Sequence, residues 1–172
     1  MYTDKRPAKY LAVLLTLTLL VPLVVVAALI WIAASILFRS LILIIAWLAW
    51  SWQGKDLLII YSDSPLWKSY FEAGLLPLIS NRAIVLNWSN RSKWPPISLK
   101  TILFSQFKGE KDFNPMILRI SPLRLPKTIR FYRAFHDSKH GKQESLMKVE
   151  GELASIIDQH IELTPYHPRP SA

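Results

Sequence analysis

The sequence predicts a mixed α/β protein in two parts: a helical hairpin within a membrane, then a small domain ordered strand, helix, strand, helix, strand, strand, helix. Three observations carry this. From Leu11 to Trp52 the only charged residue is Arg39. Beyond Gly54 the continuous apolar pattern gives way to short runs of branched apolar residues, separated by segments of helical spacing. Of the 172 residues, about 120 follow the apolar block, enough to bury one core.

The apolar block is too long for a cleaved signal sequence, whose apolar core runs to about 7–15 residues. It is expected to stay attached. Leu11 to Phe38 is uncharged, and as a helix it would be about 42 Å long against a hydrocarbon core of about 30 Å. Leu41 to Trp52 adds a second apolar block. Aromatic residues favour membrane interfaces, and Tyr10, Trp31, Trp47, Trp50 and Trp52 mark two helices, residues 10–31 and 35–52, with a reversal near Ala33, Ala34 and Ser35. The alternative is one tilted span followed by an interfacial helix. Residues 1–9, with Lys5, Arg6 and Lys9, form a basic tail. Lys and Arg are retained in the cytoplasm, so two spans place both this tail and the domain on the cytoplasmic side of an integral membrane protein. Arg39 reads as a topology marker whose side chain snorkels outward.

The domain is expected over residues 55–162. Asp56 to Tyr61 (DLLIIY) reads as a buried strand. Ser64 can cap a helix and Pro65 suits its first position, while Trp67, Tyr70, Phe71, Gly74, Leu75 and Leu78 recur at helical spacing. Pro77 should bend or end that helix. Ala83 to Trp88 is a second strand, Ser98 to Phe107 a helix, Pro115 to Ile120 a third strand and Thr128 to Phe135 a fourth. Leu146, Val149, Leu153, Ile156, Ile157 and Ile161 form the apolar stripe of a last, amphipathic helix. The tail 163–172, with Pro165, Pro168 and Pro170, is expected to be disordered.

Within this order, IIYSDSPLW at Ile59 to Trp67 resembles the glutaredoxin pattern, in which a strand ending in Tyr-Ser leads to a CPxC motif at the start of a helix. Ser64-Pro65-Leu66-Trp67 stands where CPxC would stand, and Asn114-Pro115-Met116 resembles the position of that superfamily's cis-proline. The resemblance implies a thioredoxin-like βαβαββα domain over about 105 residues. It does not carry the activity across. Both redox cysteines are replaced, by Ser64 and Trp67, so neither dithiol exchange nor a single-thiol mechanism is available. The Asn114-Pro115 bond is expected to be cis.

Composition narrows the chemistry further. The chain contains no cysteine, which excludes disulfides, thiolate nucleophiles, zinc–thiolate sites and iron–sulfur ligation. No cofactor is expected. The net charge is +9, and a basic domain tethered beside a bilayer most simply meets anionic lipid headgroups, together with a protein partner. With no aromatic-basic RNA motif or recognition helix in the sequence, nucleic acid is not the expected partner.

Candidate site residues fall into three groups. Ser62, Asp63 and Ser64 lie between the first strand and its helix, where backbone amides favour an anion, and simple capping accounts for the same residues. Asn87, Trp88, Ser89, Arg91 and Trp94 lie where the second strand ends. Trp88 in the core with Arg91 in solvent accounts for them, and the functional reading is a second wall of the same cleft, with Trp67 and Trp88 as its apolar sides. Asn87-Trp88-Ser89 and Asn90-Arg91-Ser92 match glycosylation sequons, which a cytoplasmic domain would not use. A second group, Arg119, Arg124, Lys127, Arg130 and Arg133, would form a basic face along one strand pair, or solvated charge on an edge. Third, His136 and His140 share the spacing of the HExxH zinc motif, but Gly141 follows and a loop is expected, so no metal site is assigned. Two functions follow. The favoured one is a membrane-anchored, non-redox thioredoxin-like module for binding or scaffolding. The alternative is a membrane-associated enzyme for an anionic, phosphorylated substrate, with Asp63 as its acid or base.

Overall fold

The computed structural model describes residues 6–109, 111–121 and 124–157. The first five residues, Ile161 of the expected last helix and the tail 163–172 lie outside these. The chain divides into two units, Met1–Leu41 and Ile42–Ala172.

Where the sequence predicted two helices and a reversal, the structure has one helix, α1, Arg6–Ser51. Its stretch Leu20–Ser51 is long and apolar enough to cross a membrane, with a mean hydropathy of 2.7. The hairpin fails for a local reason. Ala33 and Ala34 are the best helix formers, no Gly or Pro interrupts them, and the Ser35 hydroxyl donates back to the Trp31 carbonyl at 2.7 Å. Nothing there favours leaving the helix.

In the second unit, the last turns of α1 are core. Ile42, Ala46 and Trp50 recur every four residues and are buried, while Ile44, Ile45 and Leu48 on the other side are exposed. The second apolar block therefore serves the domain as well as the helix.

Four strands form one sheet in the order β2-β1-β3-β4: β1 Leu57–Tyr61, β2 Ala83–Asn87, β3 Met116–Arg119 and β4 Lys127–Arg130. β2 runs parallel to β1, β3 antiparallel to β1, and β4 antiparallel to β3. Successive side chains of a strand face opposite sides, and here both sides are covered. Leu57, Ile59 and Tyr61 join Ile117, Ile129, Phe71, Phe131, Phe135 and Leu153 in one cluster. Leu58 and Ile60 join Met116, Leu118, Leu103, Phe104 and the end of α1 in the other. Each such aliphatic side chain contributes about 1.5–3 kcal/mol when fully buried.

The first crossover segment opens with a turn over residues 65–67 where a helix capped by Ser64 was expected, and its winding then changes. A π-helical turn, Tyr70–Leu75, leads into α2, Leu76–Ile79, with Pro77 in its first turn. Pro77 lacks an N–H, and the wider turn before it lets the α-helix restart with proline where no donor is needed. α3, Leu99–Phe107, opens with a capping box: Ser98 Oγ accepts from the Thr101 N–H, and Thr101 Oγ1 accepts from the Ser98 N–H. The Asn114-Pro115 bond entering β3 is cis, as expected.

The fourth strand is shorter than predicted. It ends at Arg130, and Tyr132–Lys139 forms α4. The reason is a period misread as two: Phe131, Ala134, Phe135 and Ser138 are buried at spacings of three and four, which is one helical face. Gly141, at φ 82°, ends α4 in a left-handed conformation suited to glycine. α5, Glu144–Ile157, buries Leu146, Leu153, Ile156 and Ile157 of the expected stripe.

If the end of α1 is core, Trp50 and Trp52 should differ sharply. Trp50 is 6% exposed and Trp52 is 90% exposed. Trp50→Ala should lower stability by about 3–5 kcal/mol and Trp52→Ala by less than about 0.5 kcal/mol in urea unfolding of the detergent-solubilised chain. Equal losses would contradict this packing.

Candidate functional site

Because β1 and β2 are parallel and in register from Leu57↔Ala83 to Tyr61↔Asn87, both end at the same edge of the sheet. That edge brings Ser62 and Asp63 beside Asn87, as expected. The contact is direct. Asn87 Nδ2 donates to Asp63 Oδ1 at 3.0 Å, and the Asp63 N–H donates to Ser89 Oγ at 2.9 Å. Asn87 Oδ1 in turn accepts from the Ser89 N–H at 2.9 Å, capping the short 3-10 helix Trp88–Lys93.

Lys68, at the start of the helix, places Nζ 3.2 Å from Asp63 Oδ1 and 4.0 Å from Glu72 Oε2. The Asn87 hydrogen bond, and then Lys68, hold the Asp63 carboxyl below the usual carboxylate range. Asp63 reciprocally raises the Lys68 ammonium. Glu72 also accepts from the Tyr61 hydroxyl at 2.9 Å. Burial first, and that carboxylate second, push Tyr61 up to about 12. Ser89 falls beside this loop as expected, whereas Lys68 and Glu72 are not among the residues that the sequence singles out.

The remaining predicted members do not converge on this loop. Trp67 Nε1 donates to Ser62 Oγ at 3.1 Å, and its ring packs toward Phe135 and Tyr132 at 6.0 and 6.3 Å. Trp88 packs against Phe113 at 4.9 Å and Phe104 at 5.4 Å. The two indoles thus belong to the clusters on opposite faces of the sheet, and they do not wall one cleft. Arg91 turns back on its own segment. Its guanidinium lies 5.0 Å from the Trp88 ring centroid and NH1 donates to the Trp88 carbonyl at 3.3 Å.

Nor does the helix start present a row of amides to an anion. Pro65 has no N–H, and the Trp67 N–H donates to the Ser64 carbonyl at 3.3 Å. The same carbonyl accepts from Lys68 at 2.9 Å. Expected capping by the Ser64 hydroxyl is replaced by this carbonyl turn.

The basic strand pair is likewise divided. Arg119 Nε lies 3.8 Å from Asp56 Oδ2, a carboxylate that Arg82 grips with Nε at 3.0 Å and NH2 at 2.6 Å. Arg130 donates to the Phe107 and Lys108 carbonyls at 3.5 and 3.4 Å, stabilising the end of α3. Arg133 pairs with Asp112 at 3.3 Å. Arg124 and Lys127 are exposed. His136 lies in α4 and His140 caps it, in place of the expected loop. Among the described residues, no group of three or more His, Cys, Asp or Glu could hold a metal ion.

The chain matches no family model, no curated protein and no solved structure.

The Asp63 network makes a signed prediction. A depressed carboxyl adds stability above its unfolded value, about 3.9, and that contribution is lost as pH falls through the folded value. The melting-temperature gap between wild type and Asp63→Asn should therefore narrow from about pH 6 to about pH 2. A gap that stays constant across this range would show that Asp63 is not held by these partners.

Proposed function

We propose that the chain is a membrane-anchored, non-catalytic binding or scaffold module, whose soluble part is a thioredoxin-like domain without redox chemistry. The observation that carries this is the state of Asp63. A carboxylate satisfied by Asn87 and Lys68 and held below its usual range is a poor proton acceptor, and it is too ionised to act as an acid near neutrality. It joins the end of β1 to the end of β2. The fold assignment is supported by the sheet order, by the helix between the two parallel strands and by the antiparallel pair that follows. The alternative, an enzyme for an anionic substrate, needs a positive or amide-lined cradle, and Asp63 puts a negative charge at that place.

Binding is assigned to the exposed positive charge of Arg124 and Lys127, facing anionic headgroups or an acidic protein surface. Partner capture from solubilised membranes separates the readings. Asp63→Asn should leave the captured partner within about twofold of wild type. Charge reversal at Arg124 and Lys127 together should remove most of it, since each basic residue near an anionic surface is worth about 1 kcal/mol. Loss on Asp63→Asn with retention after charge reversal would move the function to the loop.

The cytoplasmic placement of the domain belongs to this proposal. It rests on the domain's surplus of Lys and Arg and on the anionic cytoplasmic leaflet, since the two crossings that first argued for it are replaced by one continuous helix. A single crossing sends Lys5, Arg6 and Lys9 to the opposite face, against the usual retention of positive flanks. Protease added outside intact spheroplasts should leave the chain from Gln53 uncut. Its complete digestion would place the domain outside.

A further inference from the structure

We propose that His136 and His140 form a two-imidazole site for a divalent first-row transition metal ion. The inference is independent of the function proposed above. It begins with the winding of α4, which sets the two histidines four residues apart on one face of the helix end. Their ring centroids are 4.8 Å apart and the ring planes are inclined by 56°. The turn that carries His140 is fixed by backbone hydrogen bonds, from the His140 N–H to the Asp137 carbonyl at 2.9 Å and from the Gly141 N–H to the Ser138 carbonyl at 3.0 Å. Both side chains are reached from solvent.

Two features beside the pair suit a cation. The C-terminal end of a helix carries partial negative charge. Asp137 is locked by the Ser145 hydroxyl, which donates to Oδ2 at 2.8 Å, and its Oδ1 stands 3.8 Å from His136 Nδ1. That distance is too long for a hydrogen bond, yet it leaves a fixed carboxylate next to the first ligand. Lys139 and Lys142 oppose this, but both are exposed, where water and salt screen them. Arg133, one turn earlier, is engaged by Asp112 at 3.3 Å.

The chemistry selects the ion class. Neutral imidazole nitrogens suit copper, nickel and zinc, whereas magnesium and calcium take oxygen ligands. With two protein ligands, the remaining coordination positions are open to water or to a donor from another molecule. The site is thus a half-site, with copper(II) bound more tightly than nickel(II) or zinc(II).

The test uses the full chain in detergent, without a polyhistidine tag, titrated calorimetrically with nickel(II), zinc(II) and copper(II) chlorides. One nickel ion should bind per chain. His136→Ala and His140→Ala should each weaken it at least about tenfold, because chelation by two linked ligands is lost. The double variant His160→Ala/His167→Ala should stay within about twofold of wild type. Circular dichroism reads whether each variant is folded, and His140→Gln, which keeps size and polarity, should show the same loss. Wild-type affinity in His136→Ala or His140→Ala, or loss confined to the His160/His167 variant, would overturn the site.

Discussion

The structure depends on the complete burial of β1. Leu57, Leu58, Ile59 and Ile60 have no exposed surface, so a strand of five residues needs cover on both faces of the sheet. A strand of this kind cannot be half-solvated, and the rest of the chain is arranged to meet that demand. One face is closed by the crossover helix, α4 and α5, through an aromatic group that includes Phe71, Phe131 and Phe135. The other is closed by α3 together with Ile42, Ala46 and Trp50 of α1. The last turns of α1, from Ile42 onward, are therefore a core element of the domain.

This constraint shapes the carboxyl edge of the sheet as well. Once β1 and β2 are side by side and parallel, the loops that leave them meet, and their polar groups must find partners. Asp63, Asn87 and Ser89 satisfy one another, and Lys68 neutralises the carboxylate. The indoles of Trp67 and Trp88 are drawn to opposite faces because the apolar clusters lie there. What remains at the edge is a fastening. The same logic governs Arg82, Arg119 and Arg130, whose guanidiniums are used on Asp56 and on the end of α3.

Much of this was legible in the sequence where a local signal was sufficient. LLIIY and AIVLN are short branched apolar runs, Ser98 to Phe107 reads as a helix, and Leu146 to Ile157 repeat at helical intervals. Asn87 and Asp63 could be paired because parallel strands end together. The failures have physical causes of their own. Thr128 to Phe131 alternates convincingly, and the helical face of Phe131, Ala134, Phe135 and Ser138 overlaps its end. A hairpin was inferred from total apolar length, while the local sequence held no residue that breaks a helix. The pairing of Arg119 with Asp56 and of Arg133 with Asp112 joins residues distant in the chain, and no local pattern announces it.

The most direct test of this account compares two fragments, one starting at Leu41 and one at Gln53, both running to the C-terminus. The longer fragment keeps the turns that cover Leu58, Ile60, Met116 and Leu118, and it should unfold cooperatively in urea without binding a hydrophobic dye beforehand. The shorter one should bind the dye and show no cooperative transition. Equal unfolding midpoints for the two fragments would contradict the claim that the end of α1 completes the core.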